Sequence, residues 1–146
     1  MHWKLLGDRN ARSYLLVFDT GDEIIETLTA FAAEQHLTCA RFQAIGGLDR
    51  ATIAFWNWDT KRYEPIGVDG QVEVLSLLGD IAASSQGPKV HAHAVLGHRS
   101  GATSGGHLLK GYVRPTLELF LTDSGDEVVR ELDAATGLYL IRLQRT

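Results

Sequence analysis

One cysteine, one methionine and three prolines among 146 residues leave this chain with few covalent or rigid constraints. A lone cysteine, Cys39, excludes an intrachain disulfide. A single thiol suits a reducing compartment, where its plainest use is as a small core residue. No apolar run approaches the roughly 18–20 residues that a helix needs to cross a bilayer. The opening stretch MHWKLLGDRNARSYLLVFD lacks the basic segment and sustained apolar run of a secretory signal. A cytoplasmic protein is expected. Basic charge is also scarce: 14 Lys and Arg stand against 18 Asp and Glu, a net charge of −4. The basic residues fall in scattered pairs, Arg9/Arg12, Lys61/Arg62, Lys110/Arg114 and Arg142/Arg145. Neutralising phosphates supplies most non-specific nucleic-acid affinity, so this balance does not predict global steering toward DNA.

What is present is the makeup of a soluble globular protein, 45% hydrophobic and 22% charged. The length suits a single domain over residues 1–146 with a core of its own. Tyr14–Asp19 (YLLVFD) is apolar, aromatic and β-branched, and reads as a strand. Thr20-Gly-Asp-Glu23 matches a capping box, with Thr20 as the cap and Glu23 reaching back. Ile24, Ile25, Leu28, Phe31 and Ala32 then recur at helical spacing, predicting one amphipathic helix over about residues 22–36. Beyond His36 the pattern turns to strands: 38–45, 51–58, 61–68, 71–83, 89–97, 110–122, 127–132 and 138–143. Gly46-Gly47, Asp69-Gly70 and Gly125 supply turn signals between them. The fold class is therefore α/β in the α+β sense: a twisted, largely antiparallel sheet with one main helix packed on it.

Four of the six histidines crowd into KVHAHAVLGHRSGATSGGHL. Alternation along a strand puts Val90, Ala92, Ala94 and Leu96 on one apolar face, and His91 and His93 on the other. Same-face residues two apart lie roughly 7 Å from each other along the backbone. Two imidazoles at that spacing can converge on one ion at about 2.0–2.1 Å. His107 follows Gly105-Gly106, read as a loop-forming pair whose missing side chains permit a tight turn and close approach. It is the natural third ligand. The bland alternative is a cluster of surface histidines. His98 sits on the loop side as an auxiliary donor, and Glu118 is a second auxiliary candidate, alternating with the apolar Leu117, Leu119 and Leu121. Glu73 reads as a solvated strand position. Phe55, Trp56 and Trp58 offer aromatic surface, either for stacking a ligand or for a subunit contact. No nucleophile elbow or Walker phosphate loop is present.

The segment VHAHAVLGHRSGATSGGHLLKGYVRPTLELFLT resembles the signature of the PPC, or "plants and prokaryotes conserved", domain. TGDEIIETLTAFAAEQHLTCARFQAIGGL is similar to that family's first helix and following strand, and the likeness runs from about residue 14 to 143. The resemblance implies an antiparallel sheet with one packed helix, assembled as a homotrimer. Plant members carry AT-hook motifs and act in transcription, and stand-alone prokaryotic members are often labelled as DNA-binding. This chain has no Arg-Gly-Arg-Pro core, so DNA binding transfers only as an association. The fold is also similar to that of acetolactate decarboxylase, a zinc enzyme with a His-X-His pair and a Gly-Gly-His histidine. That likeness maps onto His91, His93 and His107 and points to zinc, but it transfers no activity. Three functions stay open at this point: a trimeric metal-binding protein, a metal-dependent enzyme on a small carbonyl or carboxylate ligand, and a DNA-associated regulator.

Overall fold

In the computed structural model, residues 1–7 and 11–143 are described. The chain runs β1 (His2–Gly7), β2 (Arg12–Asp19), α1 (Ile24–Glu34), β3 (Cys39–Asn57), β4 (Arg62–Ala82), β5 (Lys89–Gly97), β6 (Thr103–Asp123), β7 (Val129–Leu132) and β8 (Tyr139–Arg142). Six strands form one antiparallel sheet in the order β1-β2-β6-β3-β4-β5. An added β6–β5 pairing closes β3, β4, β5 and β6 on themselves. β7 and β8 form a separate two-stranded sheet.

The expected helix is present, but its cap differs. Glu23, not Thr20, is the N-cap, and its carboxylate accepts from the Glu26 amide at 2.7 Å. The same carboxylate accepts from the Gly111 amide at 2.9 Å, which ties the helix start to β6. Thr20 instead donates its hydroxyl to the Pro115 carbonyl. At the other end His36 takes φ +54, and the Leu37 amide returns to the Ala32 carbonyl at 2.9 Å. This is a Schellman stop with histidine where glycine is usual. Ile24, Leu28, Phe31 and Ala32 are buried on the sheet.

Several short strands predicted from the sequence are halves of longer ones. Residues 38–45 and 51–58 merge into the 19 residues of β3, and the 61–68 and 71–83 segments merge into the 21 residues of β4. Gly46-Gly47 and Asp69-Gly70 do not reverse the chain. They sit where strand register slips between β3 and its neighbours, or where Gly70 takes φ +85 inside β4. Such bulges bend and coil a strand without ending it, which lets three long strands close into a barrel-like curl.

The inward face carries Leu48, Ile53, Val72, Leu77, Ala92, Ala94, Leu96, Leu117, Leu119 and Leu121, all buried as alternation predicts. Asp123, fully buried, is held by the Arg12 guanidinium at 2.7 and 3.0 Å, and Arg12 also donates to the Gln35 carbonyl. That ion pair joins β2, β6 and the helix end. β7 is docked through Ala83, whose amide donates to Val128 and whose carbonyl accepts from Arg130.

Candidate metal centre

The histidine region folds as a hairpin whose turn lies at His98–Ala102. The His98 amide donates to the Ala102 carbonyl, the Gly101 amide donates to the His98 carbonyl, and Gly101 takes φ +85. Gly105 and Gly106, expected to form the loop, lie inside β6 opposite Val95 and Ala94. Their role is close packing. A Cβ at Gly106 would stand 2.7 Å from the Ala54 carbonyl oxygen, because β6 passes there between β5 and β3. His107 follows directly, paired with His93 on one side and Ala54 on the other.

This register brings His91, His93 and His107 together. Their ring centroids lie 5.1, 5.2 and 5.4 Å apart, and one nitrogen from each falls within 4.8 Å of the other two. His98 and Glu118 are not in that group. His98 bonds the Ser104 hydroxyl at 2.6 Å across the hairpin, and Glu118 lies far along β6, paired with Ile45 and Val17. Glu73 is exposed, as its strand position suggests.

The surroundings hold the rings in place. Tyr63 stacks on His107 at 4.4 Å and 19°, and Trp56 packs edge-on against Tyr63 at 4.8 Å. Asp80 on β4 stands opposite His91. The Arg130 guanidinium reaches in from β7 and donates to Asp80 at 2.6 Å. His91 Nδ1 lies 3.2 Å from Arg130 Nη2 and 3.5 Å from Asp80 Oδ2. Arginine only donates and a carboxylate only accepts, so these two contacts call for opposite tautomers. The tautomer with Nδ1–H toward Asp80 leaves the Nε2 lone pair for an ion, in the carboxylate–histidine–metal manner.

Charge state favours ligation. Burial, with His91, His93, Arg130 and Lys89 adding repulsion, pushes His107 down to about 4. Burial and then His91 lower His93 as well. Both rings are therefore neutral at pH 7, as a metal ligand must be. Burial acts to raise Asp80, but hydrogen bonding to His91 and Arg130 outweighs it and holds the carboxyl below its usual range. His107 Nδ1 is buried with no partner among the described residues. Such an unmet nitrogen costs about 1–3 kcal/mol unless something binds. Three imidazoles with carboxylate support at one of them are a donor set that fits zinc or a similar divalent ion.

Asp80 and Arg130 were not singled out in the sequence. Asp80 had a weak signal, a lone charge in the apolar strand LLGDIAA. Arg130 had none, because β7 is too short to show periodicity.

The sequence profile of the Plants and Prokaryotes Conserved (PCC) domain, also written PPC, matches residues 7–125. The chain belongs to this family. No curated protein matches it in sequence. Among solved structures, the PPC protein of Pyrococcus horikoshii is similar over 99% of this chain and 97% of its own, with 29% identity and TM-score 0.86. A metal-containing protein from Archaeoglobus fulgidus matches at 29% identity over 97% of both chains, with TM-score 0.84. A candidate DNA-binding protein from Ralstonia eutropha matches at 28%, covering 90% of this chain and 91% of its own, with TM-score 0.83. A Staphylococcus aureus protein described as similar to alpha-acetolactate decarboxylase shares the fold alone, at 12% identity and TM-score 0.55 over 75% of this chain and 51% of its own. The family and its one-helix antiparallel sheet are thus as the sequence resemblance implied.

Proposed function

We propose that this PCC-domain protein is a cytoplasmic homotrimer that binds one divalent metal ion per chain, zinc by preference, through His91, His93 and His107. The observation that carries this reading is the convergence of three imidazoles from two paired strands, with ligand nitrogens within 4.8 Å. The name of the Archaeoglobus relative, a metal-containing protein, supports it. Three histidine ligands leave a coordination position open, which is the arrangement of reactive rather than purely structural zinc. An ion so held supplies Lewis acidity or an activated water. Among this chain's own groups, Asp80 orients His91, and Tyr63 fixes His107 by stacking.

Support for the trimer comes from an apolar outer face. Ile45, Leu75, Leu78 and Phe120 are each at least half exposed and line one continuous region of β3, β4 and β6. Apolar surface of that kind marks an interaction site. The DNA-associated reading has the name of the Ralstonia relative behind it, with the acidic balance of the chain against it.

Elemental analysis of untagged protein tests the metal assignment. Near-stoichiometric zinc or another divalent metal is expected in the wild type, and loss of at least tenfold in the H91A/H93A/H107A variant. Equal, trace metal in both would refute it.

A further inference from the structure

A cavity of about 500 Å³ opens directly beside His91 and His107, between β4, β5, β6 and the small β7–β8 sheet. Its walls include Trp56, Tyr63 and Tyr139, and its charged groups are Lys61, Lys89 and Arg130. No acidic side chain lines it among the described residues. Arg130 is only 7% exposed, yet its Nε has no hydrogen-bond partner among the described residues, and neither has the buried Trp56 Nε1. Both atoms carry N–H groups that can only donate. What the pocket lacks is therefore an acceptor. The Arg130 Nη groups are already committed, to Asp80 and to the Tyr139 carbonyl, so the guanidinium is held rigidly with its Nε edge unused.

We propose that this cavity binds a small organic carboxylate with an apolar or aromatic body. The carboxylate faces Arg130 and Lys89, and the body packs on Trp56 and Tyr63. Two buried N–H donors without acceptors, together with the exposed Lys61 and Lys89 ammoniums lining the same cavity, select an anion, because an unmet buried donor is costly and a carboxylate relieves it through charge-assisted hydrogen bonds. The aromatic walls select against a bare inorganic anion, since burying an apolar body on them adds a hydrophobic contribution. The proposal rests on the metal reading to this extent: an ion on the adjoining triad adds further positive charge and tightens binding. The small sheet gains a purpose, because β7 supplies Arg130 and β8 supplies the Tyr139 wall.

Calorimetric titration of benzoate, with inorganic phosphate for comparison, tests this in untagged protein after zinc loading and after chelator treatment. Benzoate is expected to bind zinc-loaded wild type at least tenfold more tightly than phosphate does. Arg130→Gln and Lys89→Met should each weaken benzoate at least tenfold, and Lys110→Met, on β6 outside the cavity, should leave it unchanged. Arg130 also braces Asp80, so Lys89→Met, at an exposed residue whose ammonium stands 5.1 Å from the Tyr139 ring centroid, provides the arm least exposed to misfolding. No benzoate binding to folded wild type, equal binding in Lys89→Met, or phosphate binding as tightly as benzoate would each overturn the proposal. The two readings fail separately. Protein that takes up no metal on zinc loading and still binds benzoate through Lys89 refutes the metal centre and keeps the pocket. Protein with stoichiometric metal and no benzoate binding removes the pocket and keeps the metal.

Discussion

Gly106 and His107 are adjacent residues with opposite demands. One must have no side chain so that three strands can meet, and the other must project its ring from that crossing toward β5. Any side chain at Gly106 meets the Ala54 carbonyl oxygen, so β3 or β6 must give way. Gly106→Ala is expected to destabilise by about 2 kcal/mol, roughly 4–8 °C in the melting temperature of a domain this size. It should also weaken metal binding, since the backbone that must shift is the one that aims His107. An unchanged thermal unfolding midpoint would contradict the packing argument. At this scale the sequence was informative about His91, His93 and His107, because strand alternation and residue chemistry are local. It was misleading about Gly105 and Gly106: a glycine pair signals a turn and a close approach equally, and only the third strand distinguishes them. His98 and Glu118 had the right chemistry, but register carried them elsewhere, into a hairpin contact with Ser104 and onto the apolar outer face.

Helix α1 is anchored at its start by a single side chain. Glu23 accepts from Glu26 and from Gly111 at once, so one carboxylate both caps the helix and fastens it to β6. Glu23→Ala is expected to cost about 2–3 kcal/mol, a lost cap plus an unmet amide at Gly111. Chemical denaturation should show a lowered midpoint with unchanged slope, whereas an unchanged midpoint would return the capping role to Thr20. The helix itself was legible because its apolar stripe repeats over three turns. Its cap was not, since Thr20 and Glu23 both fit local capping rules and the deciding partner, Gly111, lies 88 residues away. The same limit explains the strands. Glycine-bearing bulges at residues 46–47 and 69–70 look like turns until a long partner strand is seen to run past them.

Across the whole molecule, the closed curl of β3–β6 buries one face and turns the other outward with an apolar region. Trimer formation is the expected fate of that region. Light scattering of the wild type should give the mass of three 16.0 kDa chains, and Phe120→Glu, which replaces an exposed aromatic ring of the region with a charge, should yield monomer. A wild-type monomer at micromolar concentration would contradict the assembly. The small β7–β8 sheet, whose strands the sequence placed at 127–132 and 138–143, positions Arg130 against Asp80 and His91 and walls the cavity beside the triad. The central claim, that three histidines hold a metal ion, is tested most directly by anomalous diffraction at the zinc edge on crystals of untagged protein. The account predicts one peak per chain, about 2.0–2.1 Å from a ring nitrogen of each of His91, His93 and His107. A zinc-soaked crystal with no peak among these three rings, or with its peaks only elsewhere, would contradict it.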